Sequence, residues 1–442
     1  MVENQTRQNT FWLWSDAVNF VRRGDFDFWS PEYVKNDKLM SQYASFNDVI
    51  ESVVNGVELR KYSEKGELYL RVGNIKEFFT DLDDIKLVPL TSEAIKVREK
   101  VVLSEQDILM SRSGSLGIIT TITPDIKNSI ISSHIMRLRI KNSISPYYIA
   151  AFLNSSFGRN QILRRRNGSP VPEINHQSLE ELRFFIPPKS IQQKVELLVK
   201  EAYKLKKEAE SDYQKAAQLL NQSLGVSDVK KERVCAFWLW SDEIDIVSKL
   251  HPAAYKKSDI KGVKDFVEIK NYAESLDYGT SEDLTYQSCG VPFLRITDID
   301  EYFQINEVDI KYISQFDAEK LSKYKVELND VLISRTGTLG SAILIDKNLK
   351  NSIYGSYFIK VRFNNKIEEK LNLEYLTFFI NSAVGKEQSS SLSSGGVQTN
   401  LTIQAIENMK IPVIKKDIQN QIVKYLQSFK GKNRLSKKKL QE

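Results

Sequence analysis

The clearest hydrophobic pattern in the chain begins just after Pro187-Pro188. Ser190-Ile191-Gln192-Gln193 has the Ser-x-x-Gln form of a capping box, in which a hydroxyl and an amide side chain satisfy the free N–H groups of a helix start. Apolar residues then fall at Ile191, Val195, Leu198, Ala202, Leu205 and Ala209, in steps of 4-3-4-3-4. That spacing is a heptad seam. It meets Asp212, resumes at Ala216 and Leu219, and reaches Leu224 before Gly225, a residue suited to the left-handed turn that ends a helix. The pattern predicts a helix over residues 190–224, about 50 Å long at ~1.5 Å per residue. A second seam follows Pro412, with an Asp417 cap and then Ile418, Ile422, Tyr425 and Phe429, and fades at Gly431 into Lys437-Lys438-Lys439. Both seams are too narrow for a helix packed in a globular core. They read as helices that pack against each other or against a partner, in preference to helices that merely close their domains.

Elsewhere the period shortens. Residues 101–110 and 326–333 mix apolar and polar positions, end in an apolar triplet and run into a Ser/Thr/Gly turn. Residues 118–122 and 342–345 then follow as apolar, partly β-branched runs. Strand–turn–strand is expected in both places, with Gly114, Gly117, Gly337 and Gly340 where the chain reverses. A glycine-rich phosphate cradle is the sharper alternative. It is disfavoured because neither segment carries the Gly-Lys-Ser/Thr ending of a P-loop.

These paired segments belong to an internal repeat. Phe11-Trp12-Leu13-Trp14-Ser15-Asp16 recurs as Phe237-Trp238-Leu239-Trp240-Ser241-Asp242. Tyr69-Leu70-Arg71-Val72 matches Phe293-Leu294-Arg295-Ile296, and Asn128-Ser129-Ile130 matches Asn351-Ser352-Ile353. Asp107 through Gly117 matches Asp330 through Gly340, including Arg112 and Arg335. Arg137-Leu138-Arg139-Ile140 matches Lys360-Val361-Arg362-Phe363. A period above 200 residues is no solenoid repeat; it marks two copies of a whole domain. The tryptophans are read as core anchors in preference to base-stacking platforms.

Composition narrows the class. With 442 residues, 41% hydrophobic and 27% charged, the chain has room for two or three ordinary globular domains. Two cysteines, Cys235 and Cys289, make neither a disulfide framework nor a Cys-based zinc site, and a reducing, cytoplasmic setting is expected. His134, His176 and His251 lie far apart in sequence, so no structural metal is expected. The net charge of +6 permits a nucleic-acid partner without demanding one. The first ten residues lack the apolar stretch of a signal peptide, and no run of about 18 apolar residues could cross a membrane.

Two similar heads joined by long helices would read two sites a fixed spacing apart, and about 50 Å spans roughly one and a half turns of duplex DNA. Here the chain resembles the specificity subunit of type I restriction-modification systems. The resemblance rests on Tyr278-Gly279-Thr280-Ser281 followed by Gly290-Val291-Pro292-Phe293-Leu294-Arg295-Ile296-Thr297-Asp298-Ile299, and on Asn55-Gly56-Val57, Gly66 and Tyr69-Leu70-Arg71-Val72-Gly73-Asn74-Ile75 in the first half. It also rests on the duplicated Asp-x-Leu-x-x-Arg-x-Gly-x-x-Gly segment and on the proline-then-helix junctions with Gln192-Gln193 and with Gln419 and Gln421. It covers nearly the whole chain, from Phe11 to about Phe429.

The resemblance implies an α+β fold: two similar mixed α/β target-recognition domains, each followed by a long helix, the two helices packing as an antiparallel coiled coil. The expected division is a first recognition domain over 1–188, a central spacer helix over 189–224, a second recognition domain over 225–415 and a C-terminal spacer helix over 416–442. Each recognition domain would read one half of a bipartite double-stranded DNA target. The helices would set the unread gap and dock two methyltransferase subunits. Restriction subunits with ATP-dependent nuclease and translocase activity would complete this bacterial defence complex. S-adenosylmethionine, ATP and magnesium would belong to those partners, with no cofactor in this chain.

The residues agree with a non-catalytic role. No Asn-Pro-Pro-aromatic or Asp-Pro-Pro-aromatic tetrapeptide is present, and no nucleophile elbow. A nuclease-like string, Asp259 with Glu268-Ile269-Lys270, is the only trace of the alternative, a DNA-recognition subunit with a built-in nuclease. It lacks a proline before its aspartate and has no counterpart in the first copy. A third reading is a duplicated protein-interaction scaffold that never meets DNA; steep salt dependence of duplex binding would exclude it.

Phosphates are gripped by Lys and Arg, and base edges are best read by Arg, Lys, Asn or Gln. The densest candidate is the stretch 159–169, with Arg164, Arg165, Arg166 and Asn167, read as a mobile loop. Its equivalent, 386–400, carries Lys386, Gln398, Thr399 and Asn400. Arg60, Lys61 and Tyr62 form a basic-aromatic cluster that could track the backbone. Arg112 and Arg335, present in both copies, either hold shared structure or grip phosphate. Specificity is expected where the copies differ.

Overall fold

The computed structural model describes residues 26–89, 91, 95, 101, 103–167, 171–226, 260, 262–306, 310–393 and 400–442. Both Phe-Trp-Leu-Trp-Ser-Asp hexapeptides, Asp259, His251, Gln398 and Thr399 lie outside the described residues. The chain divides into two compact units, Met1–Lys206 with Arg434–Glu442, and Lys207–Asn433.

In chain order the first unit forms α1 (Pro31–Met40), β1 (Ile50–Asn55), β2 (Glu67–Leu70), β3 (Lys86–Val88), β4 (Asp107–Ser111), β5 (Ile119–Thr121), β6 (Ile130–Ile131), β7 (Ile135–Ile140), α2 (Pro146–Asn154) and α3 (Ser156–Arg164). The long helix α4 (Lys189–Leu224) follows. The second unit continues with β8 (Ala273–Tyr278), β9 (Val291–Leu294), β10 (Lys311–Ile313), β11 (Val331–Ser334), β12 (Ala342–Leu344), β13 (Ile353–Tyr354), β14 (Phe358–Phe363), α5 (Leu373–Asn381), α6 (Ala383–Leu392) and α7 (Lys416–Gln441).

Each unit holds the same two sheets. A four-stranded antiparallel sheet runs β1-β7-β4-β5 in the first and β8-β14-β11-β12 in the second. A three-stranded sheet runs β3-β2-β6 and β10-β9-β13, its last pair parallel. Even the register irregularity of the edge strand recurs, at Ile50/Ser52 and Ala273/Ser275. Strands β4 and β11 are buried on both faces. Ile108 and Met110 join one core with Ile149, Leu153 and Ile162, while Leu109 joins the opposite one with Leu70 and Ile135. Val331 and Ile333 face one core of the second unit and Leu332 the other. Alternation of side chains across a pleated strand explains the split.

The strand–turn–strand expectation holds, with β4 paired to β5 and β11 to β12. Both first strands start later than the apolar pattern predicted. The Asp107 carboxylate accepts a hydrogen bond from the Ser104 amide and Asp330 one from the Glu327 amide, so each aspartate closes a turn where the strand begins. Gly114, Gly117, Gly337 and Gly340 all have φ near +70°, between 68° and 74°. Only glycine takes this conformation without steric cost.

Helices α4 and α7 form an antiparallel coiled coil. In the second unit Asp212 accepts hydrogen bonds from Ser428 and Lys432, and Lys215 lies over Tyr425. In the first, Glu201 meets Lys439 and the Ser436 hydroxyl donates to the Ala202 carbonyl. Ala202, Ala209 and Ala216 are fully buried at seven-residue intervals, which lets the helices approach closely.

Three expectations are corrected. Ile191 is exposed and Val199 is buried instead, so the start of the seam is rotated from the predicted one. The seam of the C-terminal helix does not fade at Gly431 but continues towards Gln441, because Lys432 and Ser436 are fastened to α4. Residues 159–164 and 386–392 are helical, parts of α3 and α6, and not mobile loops. Buried apolar residues fix them: Ile162 in α3 and Val384 in α6.

Candidate nucleic-acid interface

The antiparallel order β1-β7-β4-β5 brings four chain segments to one end of the sheet. The ends of β1 and β4 meet the starts of β7 and β5 there. This end therefore gathers the loop after Asn55, the turn after Ser111 and the 132–134 loop. The second unit gathers the equivalent segments after Tyr278 and Ser334 and before Phe358.

Duplicated side chains hold the scaffold behind this end. Asp107 receives both arms of Arg139 at 2.8 and 2.9 Å, and Asp330 receives both arms of Arg362 at 2.8 Å. Both carboxylates are inaccessible to solvent, and their hydrogen bonds raise the pKa of each arginine. Asn154 bonds both backbone groups of Ile119, and Asn381 both groups of Ala342. Gln192 bridges the Ser145 amide and the Pro187 carbonyl, as Gln419 bridges the Asn372 amide and the Ile414 carbonyl. Of the glutamines flagged at the helix junctions, these two are the buried ones.

At the first unit's sheet end, Arg60, Lys61 and Tyr62 are exposed, the Arg60 side chain 88% so, with Glu58 3.9 Å away. Arg112 is held by backbone bonds to His134 and Ile174, and its guanidinium reaches Glu173 at 3.3 Å. Asn167 pairs with Glu173 through both backbone groups at 2.7 Å. Thus Arg112 and Asn167 share one neighbour, Glu173, close to the turn.

The arginine triplet lies elsewhere. Arg164 and Arg165 both bind Asp37 of α1, at 2.5 and 2.7 Å, and their side chains are only 10% and 8% exposed. Arg164 also stacks on Phe28, 4.2 Å from the ring centre, and burial lowers its pKa. These two arginines fasten α3 to α1. Arg166 is more open and pairs with Asp27.

In the second unit Arg335 lies over the Tyr278 ring, 4.8 Å from its centre. No ion pair with a carboxylate is found for it among the described residues, and its Nε, like that of Arg112, is buried without an acceptor. Lys386 points inward, donating to the Leu339 carbonyl and the Ser341 hydroxyl beneath the glycine turn, with its ammonium 4.6 Å from the Phe303 ring centre. Burial pushes its pKa down to about 8.

Several residues at the sheet ends escaped sequence reasoning. Ser113 and His134 are hydrogen-bonded at 2.6 Å, and His176 meets Asn55 at 3.2 Å. The second unit presents Tyr278 and an exposed Tyr357 there. The available signal was position: Asn55 and Tyr278 each end an equivalent strand, and His134 and Tyr357 each precede one. No group of three or more His, Cys, Asp or Glu among the described residues could hold a metal ion. Glu268 of the nuclease-like string is paired with Lys270 at 2.8 Å and Lys410 at 3.7 Å. No described helix is long and apolar enough to cross a membrane.

Comparison with known proteins gives consistent matches. A family model for the type I restriction modification DNA specificity domain matches twice, over residues 23–200 and 255–442. The type I restriction enzyme MjaVIII specificity subunit of Methanocaldococcus jannaschii is 20% identical over 361 residues, covering 77% of this chain and 76% of that protein. The type I restriction-modification S subunit from M. genitalium is 12% identical, with a TM-score of 0.43 over 90% of this chain and 92% of that one. The HsdS subunit from Thermoanaerobacter tengcongensis is 14% identical, with a TM-score of 0.28 over 90% of both chains.

Proposed function

The chain belongs to the type I restriction-modification DNA specificity domain family, and on that premise we propose that it is the sequence-reading subunit of such a complex. Residues 1–188 and 225–415 each read one half of a bipartite DNA target. The helices set the unread gap and dock two methyltransferase subunits, and restriction subunits join the assembly. Methylation and cleavage, with S-adenosylmethionine, ATP and magnesium, belong to those cytoplasmic partners.

The observation that carries this reading is duplication with divergence at one place. Two units share a scaffold down to individual ion pairs, yet carry different exposed residues at equivalent sheet ends. Two heads built alike and faced differently suit a split target with two different halves. Candidate phosphate contacts are Arg60, Lys61, Arg112 and Arg335, with Tyr62 and Asn167 beside them. Arg166 remains a candidate at the edge of the triplet.

The test is an exchange. Either block is replaced by that of a relative, and the chain is assembled with its methyltransferase. Methylated sites are then mapped on genomic DNA. One half of the recognised sequence should change while the other stays the same; simultaneous change of both halves would refute the two-reader arrangement. Four residues inserted within 202–209 add about 6 Å of helix and should lengthen the gap by one or two base pairs, at ~3.4 Å per pair, with both half-sites unchanged.

A further inference from the structure

One strained feature occurs at the same place in both units and takes no part in the sheet-end surface. Phe78 has φ of 66° and Phe303 has φ of 58°. A bulky side chain in the left-handed region is a true outlier, whereas glycine would make the same turn without steric conflict. Such strain persists only where the surroundings over-determine it. The local sequences differ, Glu77-Phe78-Phe79-Thr80 against Tyr302-Phe303-Gln304-Ile305, so it is the conformation that recurs. Each loop is closed by a single antiparallel bridge, Ile75 to Thr80 and Ile299 to Ile305.

Both loops use their neighbouring aromatic ring in the same way. In the first unit Phe79 is buried against Val199, Ala202 and Leu440, with its ring centre 5.5 Å from that of Tyr203. In the second, the Tyr302 ring lies 4.9 Å from Phe429 and 5.3 Å from Tyr213. In both units, then, an aromatic from the loop is set onto that unit's stretch of the helix pair. Covering the open edge of the four-stranded sheet is the simpler explanation. It accounts for the first unit, where Phe78 exchanges backbone bonds with Ile119 and Thr121. No matching bond joins Phe303 to β12; its amide is turned to Asp300 instead. Both loops also touch the equivalent residue of α3 or α6, Glu77 meeting Arg159 and Phe303 meeting Lys386, and the aromatic contact shared by both is the one to the helix pair.

We propose that these two loops are positioning elements for DNA reading. Each clamps its recognition fold to its own stretch of the helix pair at a set angle, so that Phe79 and Tyr302, together with helix length, hold the gap between half-sites to one value. This rests on the reading proposed above. The strained residue is the device that aims the clamp: its backbone turns the next or preceding ring toward the helices, where a relaxed conformation would direct it elsewhere.

The experiment uses the full chain assembled with its methyltransferase subunits, and reads half-site sequences and gap lengths from methylated genomic DNA. Wild-type protein should methylate a bipartite site with a single gap. Failure there would overturn the family-level function and this inference together. Tyr302→Ala and Phe79→Ala should keep both half-site sequences, while methylation at sites whose gap differs by one base pair rises about 10-fold, the effect of losing one or two aromatic contacts. Tyr302→Phe should restore the single gap. If Tyr302→Ala does not fold, judged by its thermal transition, Tyr302→Leu keeps most of the buried volume and is read in the same way. Folded variants that retain one unchanged gap would overturn the proposal alone, and so would a change in either half-site sequence.

Discussion

The two units compare like two instruments built on one frame. Within the four-stranded sheet and at the helix junctions, several side chains that hold the scaffold recur with their partners: Asp107 with Arg139 and Asp330 with Arg362, Gln192 with Ser145 and Gln419 with Asn372, Asn154 with Ile119 and Asn381 with Ala342. Where a side chain faces outward at the sheet end, neither residue nor partner recurs. The first unit offers Arg60, Lys61, His134 and His176; the second offers Tyr278 and Tyr357. Arg112 and Arg335 are intermediate, one residue type kept with different neighbours: a carboxylate beside the first, an aromatic face beneath the second. Conserving a buried ion pair and freeing the surface is what duplicated readers require, because a buried charge without its partner is costly while an exposed one is not.

The sharpest way to break the comparison is at the shared frame. Asp107→Ala and Asp330→Ala should each destabilise their own unit by about 2 kcal/mol, since each removes a buried carboxylate that accepts both arms of an arginine and a backbone N–H of the preceding turn. Urea unfolding should give similar losses for the two; a unit that tolerates the change would not share the frame. Next in size is the pair Arg164→Ala and Arg165→Ala, made together. It leaves Asp37 without its two guanidinium partners and should cost about 2 kcal/mol, with no equivalent effect in the second unit. The slope of log affinity for DNA against log salt should then change by less than ~1, because these arginines face Asp37 and not phosphate.

The intermediate pair separates next. Arg335→Ala should weaken DNA binding about tenfold and Arg112→Ala about threefold, since Glu173 already neutralises part of the second charge. Fluorescence anisotropy of the assembled complex at several salt concentrations measures both; equal losses would mean that Glu173 releases Arg112 on binding. The smallest effect is one of pH. Burial holds the folded-state pKa of Lys386 at about 8, below its ordinary 10.5. Between those values the unfolded chain binds more protons than the folded one, so stability rises with pH across this window and levels off at its lower value below about 8, where both states carry the proton. Comparing urea midpoints of wild type and Lys386→Met from pH 8 to 9.5 should show a rise of about 1 kcal/mol in the wild type alone. The first unit has Arg159 at this position, paired with Glu77, and should show no such rise.

Much of this was legible in the linear sequence because it depends on spacing along the chain. The repeat, the glycine turns and the heptads are of that kind. The helix from residue 190 and its seam residues Ala202 and Ala209 follow from a period of three and four alone. The surroundings of Arg164 and Arg165 were not legible, for the opposite reason. A run of charge is visible locally, but its neutralising carboxylate, Asp37, lies 127 residues away for Arg164, and only the packing of α1 on α3 joins them. The second seam was read as fading at Gly431, and glycine weakens a helix by about 1 kcal/mol; contacts of Lys432 and Ser436 with α4 more than offset that.

The sequence by itself determined that the chain is two copies of one domain with heptad helices between and after them, since repetition and periodicity are properties of order along the chain. The tertiary structure decided which charges face outward, which face of α4 is buried, and which distant loops meet at a sheet end. Those depend on antiparallel strand pairing and on the surface each helix finds opposite it. Asn55 ends β1, and His176 lies two residues beyond Ile174, whose amide bonds Arg112 just after β4; they become neighbours because antiparallel pairing brings the ends of β1 and β4 to one end of the sheet.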